Sequence, residues 1–491
     1  MSSTTDSAAR QLSAIEAIVP IASLIVLVAM SFFLFGDAGA LGPNQVALTV
    51  ATMIGAFVGW RAGYTLDELQ EAAVASVSSG IGAMFILLAV GSLIGTWAMS
   101  GTLVAMVYYG LHLLHPNYFY VTAAIICGVV ALSIGSSWTV VGTIGIGLMG
   151  IGANMGLDPA ISAAAIISGA YFGDKSSPLS DSTNLAAAVA GADLYQHIRA
   201  VMMTSAPAIA ISLVLFWALG SPGDFDASHK IDAIKQLFNV SPVLFLPLAL
   251  VIGMALLKYP PFTTIFIGAV AGGILAILVA PDRVIAYADA AHLPTPLGLL
   301  KGVWLALADG YKSSTGDAAI DRLISRGGMA SMLGTIWLII TALAFGGVVE
   351  KAGVLERLMS PVIAAAKSVG ALVSYLVASV IATNVVTADQ YIAIVLPGRM
   401  FKNAFLERGL PPVALSRAIG DSGTVTSALI PWNSCGAYMA ATLGVATFSY
   451  APYAFFCILS PILTIVLASM GARASQANGQ GGGAAVIRRG A

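Results

Sequence analysis

Residues 82–99 of the chain read GAMFILLAVGSLIGTWAM and contain no charged side chain. They lie within a longer tract, residues 72–157, in which none of the 86 residues is Asp, Glu, Lys or Arg. A transmembrane helix needs about 20 consecutive apolar residues, so this tract can hold several spans. The tract predicts an all-α polytopic membrane protein.

The composition of the whole chain agrees with this class and excludes others. Of the 491 residues, 58% are hydrophobic and 9% are charged, whereas soluble proteins carry about 25% charged residues. The net charge of −1 provides no basic surface for nucleic acid. The apolar runs are continuous rather than alternating, which argues against a transmembrane β-barrel. The three cysteines show no spacing typical of a disulfide framework or a zinc site.

Ten apolar runs are long enough to be predicted as membrane spans. Two further regions, 135–195 and 389–440, are apolar but interrupted by Gly, Pro and polar residues, so the expected number of helical segments is about 11–14. The ten predicted spans are residues 17–35, 44–60, 79–99, 118–134, 200–220, 242–258, 262–280, 331–349, 369–388 and 446–470.

The chain also shows an internal repeat. Sliding it by 253 positions aligns Gly145 with Gly398, Pro159 with Pro412, and Pro178 with Pro431. Several matches at one shift favour a duplicated unit over chance among similar apolar helices. Such units are inverted in many secondary transporters, and we predict broken helices or re-entrant hairpins in inverted repeats.

The repeat and the charge pattern divide the chain into six parts. Residues 281–326 carry ten charges, close to a soluble composition, which predicts an extramembrane linker with a short helix at 297–308. The predicted parts are N-terminal helices (1–78), repeat 1 with a broken segment at 135–195 (79–220), connecting helices (221–280), the linker (281–328), repeat 2 with broken segments at 384–440 (329–470) and a disordered tail (471–491).

Two polar segments occupy corresponding places in the two repeats. They are residues 173–191 and residues 418–438, the latter preceded by NVVTADQY at 384–391. Interrupted backbone at membrane depth survives only where it is buried in protein or lines a wet cavity. Paired interrupted segments are therefore the best pointer to a transporter's binding site.

The side chains of these segments suggest a cation as ligand. Carboxylates at membrane depth are costly and usually mark ion pathways, and hard cations prefer carboxylate, hydroxyl, amide and carbonyl oxygens. The alternative is that the turns reach the surface and their polar residues only cap helices. The candidate Na⁺- or substrate-binding residues are Asp174, Ser180, Asp181, Thr183, Asn184, Asn384, Thr387, Asp389, Asp421, Ser422 and Thr424, with Lys175 and Arg417 as charge partners.

Enzyme classes find little support in the sequence. No P-loop motif occurs, which argues against ATP hydrolysis. The GDSG run at 420–423 resembles a serine nucleophile motif, but no His follows His292 to act as its base. We therefore predict a secondary transporter that needs no cofactor beyond the transported Na⁺ and H⁺.

The long polar motifs carry a family resemblance. They are GAYFGDKSSPLSDSTNLAAAVAG (169–191), NVVTADQYIAIVLPGRMFK (384–402), LSRAIGDSGTVTSALIPWNSCGAYMAATLGV (415–445) and the GGM at 327–329. Through these motifs the chain, from about residue 45 to 470, resembles the NhaC-type sodium/proton antiporter family, which also includes sodium-coupled malate/lactate exchangers. The resemblance implies an exchanger driven without ATP, with its ion site at Asp174, Asp181, Asp389 and Asp421.

Na⁺/H⁺ exchange by alternating access at a midplane carboxylate site is the expected function. The alternative is Na⁺- or H⁺-coupled exchange of a small organic anion such as malate or lactate, which Lys175, Arg399 or Arg417 facing the cavity would favour. Arg61 and the Arg488–Arg489 tail predict both termini in the cytoplasm of a multi-pass protein of the cell (inner) membrane. The expected partners are the lipid bilayer and small cations, and a homodimer is left open.

Overall fold

The structure is a computed structural model that describes residues 10–35, 42–220, 240–313, 321 and 325–477, with side chains as far as residue 470. Within these ranges every regular element is helical, apart from an isolated bridge between Tyr311 and Arg326. Of the tail predicted at 471–491, residues 478–491 lie outside the described residues, as do residues 221–239 of the predicted connecting region.

Three helices precede the first half within the described ranges 10–35 and 42–79. Each boundary has a local cause: α2 begins with a proline and ends at Gly63, whose φ is 112°, and α3 begins with a capping box between Thr65 and Glu68. α1 packs along α2, while α3 lies against a helix of the second repeat. The three helices are α1 (Ala14–Phe35), α2 (Pro43–Ala62) and α3 (Leu66–Ser79).

The first half contains eight α-helices and one π-helical turn. The turn, Val141–Gly145, joins α7 to α8 so that the two form one segment. The helices are α4 (Ile81–Ser100), α5 (Thr102–Leu113), α6 (Phe119–Ile134), α7 (Ser137–Val140), α8 (Ile146–Asn154), α9 (Pro159–Ser176), α10 (Asp181–Ala190) and α11 (Leu194–Ala218).

Four helices connect the halves within the described residues 240–313. α13 packs along α4, where the Trp97 indole donates a hydrogen bond of 3.1 Å to the Gly268 carbonyl. α15 covers the helix predicted at 297–308 and also packs against α4; its place relative to the membrane surface stays a prediction. The helices are α12 (Leu246–Leu256), α13 (Pro261–Val279), α14 (Pro281–Tyr287) and α15 (Thr295–Asp309).

The second half has the same kind of interrupted helices. A π-helical turn, Gly420–Thr424, continues α20 toward a 3-10 turn at Ser427–Leu429. The helices are α16 (Leu333–Lys351), α17 (Val354–Ala365), α18 (Val369–Thr387), α19 (Gln390–Glu407), α20 (Pro412–Ile419), α21 (Ser434–Leu443), α22 (Thr447–Tyr450) and α23 (Phe455–Ala477).

Helix ends recur between the halves at a spacing of 253 residues. A residue with left-handed backbone precedes α7 at Gly135 and α19 at Ala388, with φ of 77° and 58°. Ser180 and Asn433 are the matching N-caps of α10 and α21. The two halves therefore interrupt their helices at equivalent positions, while the inverted relation between them stays a prediction.

The prediction of an all-α polytopic membrane protein is confirmed. Eight helices in the described ranges are long and apolar enough to cross a membrane, or up to nine if the pair Thr447–Tyr453 and Phe455–Met470, bent by 54°, is one span. These nine coincide with nine of the ten predicted spans. The tenth, at 242–258, is the shorter apolar helix Pro242–Leu256.

Glycines let α6 and α9 approach each other closely. A Cβ placed on Gly169 would overlap the carbonyl group of Ala124, and one on Gly173 would overlap the carbonyl oxygen of Gly128. Small residues at such contacts allow backbones in membranes to pack directly. This contact holds the C-terminal end of α9 deep in the protein.

We expect Gly173→Ala to destabilise the folded protein by about 1–3 kcal/mol, because its methyl group overpacks a backbone contact. Gly253→Ala is the matched control, since nothing lies within 4 Å of a Cβ at that helical glycine. Thermal unfolding in detergent followed by size-exclusion chromatography measures both. Equal midpoints for the two variants would contradict the proposed packing.

Candidate functional site

Asp174 lies at the first helix interruption. Its Oδ2 accepts hydrogen bonds from the backbone N–H of Ser137 at 3.0 Å and from the Ser137 hydroxyl at 2.6 Å. Ser137 is the first residue of α7, so the carboxylate sits at a helix N-terminus, where negative charge is favoured. Asp174 is 8% exposed, which leaves it within reach of a small ion.

The turn between α9 and α10 is held by its own polar side chains. The Thr183 hydroxyl donates to the Lys175 carbonyl at 2.9 Å, and Ser180 caps α10 beside the Asp174 carboxylate. The Asn184 amide donates to the Ser180 carbonyl at 2.7 Å. Two of the predicted residues in this turn, Asp181 and Asn184, are exposed and lie on its outer side.

Asp389 lies at the interruption between α18 and α19, at the position that Ser136 occupies in the first half. It is the N-cap of α19, accepts a hydrogen bond of 2.8 Å from the Ile392 N–H, and is 7% exposed. The Thr387 hydroxyl bonds back to the Thr383 carbonyl at 2.9 Å. A nearly buried carboxylate therefore lies at a helix N-terminus in each half: Asp174 faces the start of α7, and Asp389 caps α19.

A neutral hydrogen-bond network holds the second interruption together. Asn384 donates to the Gly423 carbonyl at 2.8 Å and accepts from the Asn433 amide at 3.2 Å. Ser427 donates to Gln390 at 3.0 Å. Ser427 and Gln390 stand 253 residues after Asp174 and Ser137. A hydrogen bond therefore joins the same two positions in both halves, and only in the first half is its acceptor a carboxylate.

The buried centre of the site is an ion pair between the two halves. Lys175 Nζ on α9 lies 2.6 Å from Asp421 Oδ1 on the π-helical turn, with side-chain exposures of 1% and 0%. Burying a charge without a partner is very costly, so each of these side chains depends on the other. The predicted partner Arg417 makes no ion pair with Asp421 in the described part of the chain; Lys175 takes that role.

Hydroxyl groups from two apolar helices complete the surroundings of this pair. Asp421 Oδ2 accepts from the Thr204 hydroxyl of α11 at 2.7 Å and from the Thr464 hydroxyl of α23. Lys175 also donates to the Ser460 hydroxyl and lies over the Phe456 ring, 5.3 Å from its centroid. We define Asp421, Thr204, Ser460 and Thr464 as the hydroxyl cage.

The three hydroxyl residues of the cage are not among the residues predicted from the sequence. They are small hydroxyl residues in long, mainly apolar helices, and such residues usually bond back to their own helix. The predicted Ser422 does so, donating to the Ala418 carbonyl at 2.6 Å rather than to Asp421. Thr424 is buried, and its carbonyl accepts from Ser427 at 2.6 Å.

The chemistry of the site suits a monovalent cation. The cage offers carboxylate and hydroxyl oxygens, the ligand types that hard cations prefer. Among the described residues no group of three or more His, Cys, Asp or Glu side chains could hold a metal ion.

Comparison with known proteins finds a family and several relatives. The family model described as the Na⁺/H⁺ antiporter family matches residues 169–472, more than half of the chain. The Na⁺/H⁺ antiporter NhaC of Alkalihalophilus pseudofirmus is 37% identical over 436 residues, covering 87% of this chain and 90% of the relative.

Two further relatives carry other substrates in their names. The arginine/ornithine antiporter ArcD of Halobacterium salinarum is 35% identical over 464 residues, covering 93% of this chain and 92% of the relative. The malate-2H⁺/Na⁺-lactate antiporter of Bacillus subtilis is 35% identical over 459 residues, with coverages of 92% and 93%.

Proposed function

The chain belongs to the Na⁺/H⁺ antiporter family, and from this premise we propose that it exchanges Na⁺ for H⁺ by alternating access at a carboxylate site near the membrane midplane. It is a membrane antiporter rather than an enzyme. In this proposal it is a multi-pass protein of the cell (inner) membrane with both termini in the cytoplasm.

The buried ion pair of Lys175 and Asp421 is the observation that carries the proposal. A carboxylate without solvent contact must be compensated, and the Lys175 ammonium, a proton or Na⁺ can each do this. Only one of them fits at a time. Competition of this kind couples the arrival of Na⁺ to the departure of H⁺.

The hydroxyl cage supports Na⁺ as the competing ion. When Na⁺ replaces the ammonium at Asp421, the oxygens of Thr204, Ser460 and Thr464 can take the place of its hydration shell. The displaced ammonium would then be a buried charge without a partner, a costly state that release of its proton relieves. The ligands come from α11 of the first half and α23 of the second, so loading the site engages both halves.

In this proposal, Na⁺ reaches the cage by way of the other candidate carboxylates. Asp174, Asp181 and Asp389 all interact electrostatically with the hydroxyl group of Tyr391, which is 48% exposed. Negative charges around one accessible side chain raise the local concentration of cations. We therefore assign Asp174 and Asp389 to Na⁺ binding on the way to Asp421, with Asp181 at the outer end.

Exchange of a small organic anion is the second candidate, favoured by the name of the Bacillus subtilis malate/lactate relative. A carboxylate substrate needs a positive partner in the site. Lys175 is the candidate for this positive partner, but its ammonium group is already bound to Asp421 and Ser460. This engagement favours Na⁺/H⁺ exchange.

Reconstituted protein tests the proposal. Liposomes loaded with acid and a trapped pH dye receive NaCl outside, and we expect rapid internal alkalinisation that is absent with choline chloride. A response that appears only when malate and lactate are supplied would replace Na⁺/H⁺ exchange by exchange of those organic anions. Silence under all these conditions would contradict both candidate functions.

A further inference from the structure

A stacked pair of aromatic rings joins the two halves beside the first interruption. Trp138 of α7 and Tyr438 of α21 have ring centroids 4.0 Å apart and planes inclined by 14°. The Tyr438 hydroxyl donates a hydrogen bond of 2.7 Å to the backbone carbonyl of Trp138. Tyr438 is 0% exposed and Trp138 is partly buried.

The stacked pair touches the part of α7 that holds Asp174. Ser137, which supplies both hydrogen bonds to the Asp174 carboxylate, immediately precedes Trp138. A Cβ placed on Gly142, one helical turn after Trp138, would lie 2.6 Å from the same tyrosine oxygen. The Tyr438 hydroxyl thus packs against both Trp138 and Gly142, at the start of the π-helical turn.

From this contact we propose that Tyr438 is a positioning residue for the Asp174 cation site. The proposal rests on the proposed function, in which Asp174 binds Na⁺. By fixing the first turn of α7, Tyr438 keeps the Ser137 N–H and hydroxyl on Oδ2 and so orients the carboxylate. Because Tyr438 belongs to the second half, movement of one half against the other changes the geometry of the ion site in the first.

Tyr450 provides a matched control for this role. Its side chain is also 0% exposed, and its hydroxyl donates to a backbone carbonyl, that of Ala428, at 2.6 Å. Replacing either tyrosine by Phe therefore removes the same kind of buried hydrogen bond. Only Tyr438 has a described hydrogen bond and ring stack with the residue next to Ser137.

The experiment measures Na⁺-dependent exchange in liposomes with full-length protein. We expect Tyr438→Phe to raise the KM for Na⁺ by about 5–10-fold with a maximal rate within about 2-fold of wild type, the order of one lost hydrogen bond. Gly142→Ala, whose methyl group would overlap the Tyr438 hydroxyl and displace it, is also expected to raise the KM for Na⁺. Tyr450→Phe is expected to lower the unfolding temperature as much as Tyr438→Phe while leaving KM unchanged.

Two results would overturn the positioning role: an unchanged KM in folded Tyr438→Phe, or an equal rise in KM for Tyr450→Phe. Tyr438→Phe retains the ring, so it decides the matter even if Gly142→Ala fails to fold. Asp174→Asn tests the ion-binding role of Asp174 separately from the positioning role of Tyr438. Wild-type Na⁺ response in that variant removes Asp174 from the ion site, whereas its loss together with an unchanged KM in Tyr438→Phe rejects only the role of Tyr438.

Discussion

Asp421→Asn is expected to abolish Na⁺/H⁺ exchange and also to destabilise the folded protein. The neutral amide can no longer compensate Lys175, whose ammonium lies 2.6 Å from the carboxylate with 1% exposure. Breaking a buried ion pair by removing one partner costs about 3–5 kcal/mol. The drop in unfolding temperature in detergent and the loss of Na⁺-driven alkalinisation in liposomes measure the two effects.

A double variant separates folding from transport. Lys175→Met/Asp421→Asn removes both charges, and replacing a buried ion pair by well-packed neutral side chains is often neutral for stability. We therefore expect the unfolding temperature to return toward wild type while exchange stays absent. Exchange at the wild-type rate in the double variant would show that this pair takes no part in transport.

Asp174→Asn is expected to reduce exchange by at least about 100-fold, with little change in stability. The asparagine side-chain oxygen can still accept from the Ser137 N–H and hydroxyl, so the turn stays bonded. What the variant removes is the negative charge, and a neutral amide is a much weaker ligand for Na⁺. Na⁺-driven alkalinisation at equal protein density in liposomes measures the loss.

Asp158→Asn is the control for the Asp174 variant. Asp158 caps the opposite end of α9, accepts from the Ala160 N–H at 2.7 Å, and is exposed. Asn is as good an N-cap as Asp, so this variant removes one charge from the same helix at little cost in stability. Exchange that falls equally in the two variants would indicate a general charge effect instead of an ion site at Asp174.

Local features of the sequence predicted much of the architecture. Hydropathy is a property of each segment alone, because an apolar run must be buried in lipid or protein wherever it lies. The interruptions were predicted for the same reason, since Gly, Pro and Asp disturb a helix where they stand. The left-handed backbone at Gly135 and the N-caps at Ser136 and Asp389 likewise depend on the residue at that position and its immediate neighbours.

The pairing of Lys175 with Asp421 could not be predicted in this way. Arg417, one helical turn before Asp421, was the expected partner because side chains four residues apart in a helix are neighbours. The structure brings Lys175 there instead, from 246 residues away in the chain. Which residue meets Asp421 depends on the close packing of α6 and α9 and on the meeting of the two halves.

The sequence alone determined that the chain is a helical membrane protein, and it predicted interrupted repeats with the candidate carboxylates at the interruptions. The tertiary structure alone decided which carboxylate is fully buried, which cation neutralises it, and which hydroxyls surround it. The physical reason is the low polarity of the interior. There the stability of a charge depends on the few atoms in contact with it, and for Asp421 these atoms come from α9, α11 and α23, which are distant in the chain.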